Sequence, residues 1–195
     1  MKFCKAILLL LFVSTLSFSD PVFWFKSQHF TGGRGANCGP ASIAMLIYYS
    51  THINISVQRI RMEIGLTRYD GATAFDELEP TLDRHGAHYA SISLDSQNDI
   101  DYFVEKGDFI VMVLVNLNLI PDKSNLGKGL GNHYFIISGV DGDNYIVQDP
   151  WSGPDLRFSK KVVWRSMITR RATIAFQIEP LPSFIPPKVK SPYLN

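Results

Sequence analysis

Cysteine is scarce in this chain: there are two in 195 residues, and only Cys38 lies outside the first 19 residues. One thiol cannot close an intrachain disulfide. With five scattered histidines it cannot make the Cys/His ligand set of a structural zinc site either, so no metal is expected. An excess of one charge is also lacking, since 19 Lys and Arg face 18 Asp and Glu. That balance gives no electrostatic case for nucleic acid or an anionic membrane. The glycines at 32–35 lack the lysine and Ser/Thr of a phosphate-binding loop, so no nucleotide cofactor is expected. No internal repeat is visible. Proline clusters only at the end, where Pro180, Pro182, Pro186, Pro187 and Pro192 mark residues 179–195 as an extended tail without helical or strand periodicity.

One long apolar run is present, and it opens the chain. Lys2 and Lys5 precede Ala6–Phe18, and Ser17 and Ser19 are small residues suited to a cut before Asp20. The pattern predicts a signal peptide over 1–19, too short and wrongly flanked for a spanning helix, and hence a secreted or periplasmic product without a membrane span. Its removal takes away two lysines and no acid, leaving the mature chain nearly neutral. Residues 20–178 are long enough for one domain with a real core, expected to be a monomer.

A change of period divides that domain. The apolar residues from Ile43 to Tyr49 read as a helix opened by Cys38. Ser56 can cap a helix ending at Gly65. Thr73 to His85 has helical spacing, with Pro80 expected to break or kink it, and Asn98 can cap a helix closed by Gly107. Phe109 to Val115 is a continuous apolar run, as expected of a strand buried on both faces. His133–Val140 and Tyr145–Asp149 flank Asp141-Gly142-Asp143-Asn144, a hairpin signal, and Ala172 to Ile178 reads as a closing strand. Helices first and antiparallel strands later make an α+β domain.

A thiol at the first turn of a helix faces unpaired N–H groups and the positive end of the helix dipole, both of which favour the thiolate. A small buried core cysteine is the competing reading. The order of groups supports chemistry, with Cys38 opening the first helix, His133 opening one hairpin strand and Asp149 ending the other. A thiol nucleophile needs a base within hydrogen-bond reach and a third group to fix the imidazole. Parity sets a condition. A two-residue turn pairing Asp141 with Asn144 would put Asp149 on the wrong face, so an odd offset is required, for which Gly142 is available. Phe135 and Val147 would then pack beneath the site against the Cys38 helix.

With Asn37-Cys38-Gly39-Pro40-Ala41-Ser42, Gly131-Asn132-His133-Tyr134, Ile136 through Gly142, Gln148-Asp149-Pro150-Trp151 and an upstream Gln28, the sequence resembles the papain-like cysteine peptidases of the bacteriocin-processing type. The resemblance runs from Gln28 to about Ile178. It implies a papain-like fold with an N-terminal helical half and a C-terminal antiparallel sheet. It also implies that Cys38 is the nucleophile, His133 the general base and acid, and Asp149 the group orienting His133. Gln28 and the Cys38 amide would form the oxyanion hole. The implied partner is a peptide or protein substrate, cut at a peptide or isopeptide bond. An amidase or acyltransferase on a small or cell-wall amide, and an inactive binding domain, are the alternatives. Gln28 departs from the pattern by standing ten residues before Cys38, across the insert Thr31-Gly32-Gly33-Arg34-Gly35.

The remaining histidines have plainer uses. His29 precedes the nucleophile and lacks a partner strand, while His52, His85 and His88 fall near helix ends. The segment from Asn116 to Gly131 leads into His133 and is expected to form one lip of the cleft.

Overall fold

The computed structural model describes residues 25–28, 37–66, 73–120 and 131–177. The expected signal peptide, the Pro-rich tail, His29 and residues 121–130 of the expected lip lie outside the described residues.

Three helices come first: α1 (Cys38–Thr51), α2 (Val57–Ile64) and α3 (Phe75–Arg84). Helix α1 is apolar all round and buried along nearly its whole length, as a central helix should be. Helix α2 starts where Ser56 accepts a bond from the Arg59 amide at 3.1 Å, and Gly65 ends it at φ 78°. Helix α3 continues through Pro80, so the expected break does not occur there. Pro80 costs it one backbone bond on an exposed side, while Phe75, Leu78 and Leu82 bury the opposite side.

The remaining elements are β1 (Tyr89–Ser93), α4 (Gln97–Val104), β2 (Phe109–Asn116), a 3-10 turn over Leu117–Leu119, β3 (Asn132–Asp141), β4 (Asn144–Asp149), β5 (Gly153–Ser159), α5 (Lys160–Ser166) and β6 (Met167–Phe176). Helix α4 begins earlier than expected, because Ser96 and Asp99 form a capping box in place of an Asn98 cap. Strands β1 and β5 and helix α5 were not expected. The six strands form one antiparallel sheet in the order β1-β6-β2-β3-β4-β5. Among the described residues, no helix is long and apolar enough to cross a membrane.

Each face of the sheet carries a core. On one, Ile43, Met45, Leu46 and Ile47 of α1 pack with Ile60, Leu78, Leu82, Ile110, Met112, Tyr134 and Ile136. On the other, Ile100 and Val104 of α4 and Val163 of α5 pack with Val111, Val113, Phe135, Ile137, Tyr145, Val147 and Phe158. Phe135 and Val147 therefore do not pack against the Cys38 helix. Side chains alternate along β3, and α1 takes the Tyr134 and Ile136 positions, which leaves Phe135 to the opposite core.

Candidate active site

Cys38 is the first residue of α1 and is 7% exposed. Gly39 follows because the N-terminus of α3 comes so close that a Cβ there would collide with Thr73 Oγ1 and crowd Leu78. Tyr134 fastens the same corner, its hydroxyl donating to the Thr73 carbonyl at 2.9 Å.

His133 and Asp149 come from the two strands of the β3–β4 hairpin, and the register explains how they meet. The turn is the two-residue one: Asp141 pairs with Asn144, and Gly142 takes φ 58° between them. That turn alone would send Asp149 to the other face. The offset comes instead from a bulge within the ladder, where Ile137 pairs with Val147 but Gly139 pairs with Ile146, so Ser138 is the extra residue. Continuing the Ile136–Gln148 pair by one step puts Asp149 across from Phe135, diagonal to His133. The required odd offset is therefore present, but at Ser138 and not at Gly142. Gln148, 1% exposed, braces the bulge: its Nε2 donates to Ser138 Oγ and to Asp155 Oδ1, each at 2.9 Å.

The structure thus brings together three groups that are far apart in the chain. His133 Nε2 lies 2.7 Å from Asp149 Oδ1, with both side chains buried. The Cys38 thiol hydrogen-bonds His133, which leaves Nδ1 as the ring nitrogen facing sulfur. Burial pushes the Cys38 thiol up, but His133 and the Tyr134 and Gly39 amides outweigh it and hold the thiol below its ordinary value. Burial pulls His133 down, yet its bonds to Asp149 and Cys38 raise it to about 9. Asp149 is likewise pushed up by burial, but His133 and the Trp151 and Ser152 amides hold it low. The two shifts run in the directions that favour a thiolate facing an imidazolium, an arrangement capable of nucleophilic chemistry.

Asp149 also accepts the Trp151 amide at 2.8 Å on the same Oδ1. Capping the following turn and facing the imidazole are not alternatives here; one oxygen does both.

Gln28 is 7% exposed and lies between the ends of this array. Its amide donates to the Pro150 carbonyl at 3.0 Å, next to Asp149, and its own carbonyl accepts from Asn37 Nδ2 at 3.1 Å, next to Cys38. Its Oε1 is buried with no hydrogen-bond partner among the described residues. Arg61 of α2 is a residue that sequence reasoning missed. It is 6% exposed, and its guanidinium donates to Asn37 Oδ1 at 2.5 Å. The other described histidines stand elsewhere. His52 ends α1, His85 pairs with Glu63 at 2.7 Å, and His88 stacks on Phe176.

Solved structures share this fold. The peptidase domain of Streptococcus ComA, a bi-functional ABC transporter of a quorum-sensing pathway, is 23% identical with a TM-score of 0.56, covering 80% of this chain and 99% of its own. A putative C39-like peptidase from Bacillus anthracis is 14% identical with a TM-score of 0.59, over 80% of this chain and 94% of its own. A double glycine motif protease from an AMS/PCAT transporter, solved with its leader peptide, is 18% identical with a TM-score of 0.55, over 82% and 96%. No curated protein sequence matches the chain. The Peptidase_C39 like family model matches residues 21–170, a span containing the helix-borne thiol and the whole hairpin; the chain belongs to that family and is a cysteine peptidase.

Proposed function

We propose that this peptidase is secreted, acts as a monomer and hydrolyses peptide bonds through Cys38, His133 and Asp149 by way of an acyl-thioester. The observation that carries the reading is the hydrogen-bonded line from Cys38 through His133 to Asp149, buried at the start of α1. The Cys38 thiolate attacks the carbonyl carbon of the scissile bond, and the oxygen gains charge. The Cys38 amide and the Gln28 carboxamide donate to that oxygen; one such donor is typically worth about 3 kcal/mol. As the C–N bond breaks, protonated His133 gives its Nδ1 proton to the leaving amine. Water then attacks the thioester, His133 takes the water proton, and the product acid leaves as the thiolate–imidazolium pair is restored. Asp149 holds the ring in place and stabilises its charge throughout.

A peptide is the favoured substrate class over a small amide because a similar fold has been solved around a leader peptide. Secretion rests on the charged start, apolar run and small residues at Ser17 and Ser19. A peptide mixture quenched in acid during turnover tests the chemistry. Mass spectrometry is expected to find an acyl adduct on the Cys38 peptide and none in Cys38→Ala. Turnover without an adduct, or with an adduct on another residue, overturns the assignment.

A further inference from the structure

In most helices an Asn at the N-cap adopts extended backbone and turns its side chain back onto the first-turn amides. Asn37 does neither. Its φ and ψ are −95° and 1°, and its side chain makes no capping bond. Instead it spans outward, accepting from Arg61 and donating to the Gln28 carbonyl. Arg61 is an isolated case on its own helix: Arg59, two residues away, is largely exposed and pairs with Glu63, whereas Arg61 is buried. Burying a guanidinium is costly unless it is paired and well bonded, and one of the bonds that hold this one is to Asn37.

The geometry points to Arg61 as a positioning residue that fixes the oxyanion hole through Asn37. This rests on the proposed roles of Cys38 and Gln28. The two expected oxyanion donors stand ten residues apart in sequence, so a side-chain link between their neighbourhoods adds to the backbone connection. Arg61 clamps Asn37, the residue before one donor, and Asn37 clamps the backbone of the other. Planar guanidinium and planar carboxamide make this a stiff link, and a stiff link matters because an oxyanion donor is effective only where it is already aimed before the charge develops. The link also diverts the Asn37 side chain from the first-turn amides of α1.

Two readouts separate this from a structural role. Arg61→Gln is expected to lower kcat by about 10- to 100-fold with KM little changed, and to add almost nothing to the loss in Gln28→Ala. The pH profile of Cys38 alkylation by iodoacetamide is expected to stay as in the native chain, because that reaction needs no oxyanion hole. A full additive loss, or an altered alkylation profile, assigns Arg61 to stability instead. Hydrogen exchange of the Gln28 backbone amide, bonded to Pro150, reads placement without any turnover. It is expected to accelerate at least tenfold in Arg61→Gln, and also in Asn37→Asp, which keeps an acceptor for Arg61 but loses the donor to Gln28. Unchanged exchange in both variants overturns the link whatever the activity. Inactivity of the native chain on every peptide, with exchange accelerated as expected, overturns the peptidase mechanism and leaves the clamp standing.

Discussion

Asp149 shows how much a single residue can disclose and conceal. Its place before Pro150 advertises a turn cap, and only its order after Cys38 and His133 suggests a second use; in the fold one oxygen serves both. Cys38 and His133 were legible because a lone thiol at a helix start and a histidine at a strand start are rare and chemically pointed. Arg61 was not legible, since an arginine in a short polar helix beside Arg59 looks solvated until the tertiary fold buries it. At this scale the pH profile is the first test. In the proposed mechanism the reactive form has Cys38 deprotonated and His133 protonated. Activity is therefore expected to rise as Cys38 loses its proton, at a pH below its ordinary 9.0, and to fall as His133 loses its own near pH 9. The same shift stabilises the fold: the contribution of His133 is fully present below its unfolded value of 6.5 and is lost as pH rises through about 9. Alkylation rates in His133→Ala that match the native profile would contradict the pairing. Gln28→Ala is expected to cut turnover by about a hundredfold without altering the melting temperature, read by steady-state kinetics and calorimetry. A near-native rate would move the donor role elsewhere.

Among the elements, the hairpin is the most instructive. Sequence parity demanded an odd offset but could not say where it would fall, because Gly142 was the conspicuous turn residue and Ser138 carries no bulge signal. The brace that marks Ser138 comes from Gln148 and Asp155, and Asp155 belongs to β5, which was not foreseen. Strand β5 lies at one edge and opens with Gly153-Pro154, a start that suits an edge, and β1 is the half-exposed opposite edge, so neither has the apolar signature of β2. Deleting Ser138 gives a decisive test of the register. Removal of the unpaired residue leaves Asp149 opposite Phe135 through an unbroken ladder, so turnover is expected to stay within about tenfold of native at a stability cost of about 1–3 kcal/mol. Loss of activity as deep as in Asp149→Ala, in a variant that still melts cooperatively, would show that the bulge itself is needed.

For the whole molecule, the sheet is covered on both faces, and the helix that carries the thiol is the most deeply buried element. The α+β class and the helical first half were readable from the change of period at Phe109. The second core was not, because α5 is short and α4 was mistaken by two residues at its start. Truncating Leu46, fully buried in the middle of α1, is expected to cost about 2–5 kcal/mol by urea unfolding while leaving the activity of the folded fraction intact. An unfolding midpoint equal to the native one would contradict the packing described. The central claim is that one sulfur on this scaffold performs the chemistry. It is tested most directly by incubating a peptide library with the native chain and with Cys38→Ala and sequencing the products. The account predicts new peptide termini with the native chain and none with Cys38→Ala at equal folded concentration; the same termini from both would contradict it.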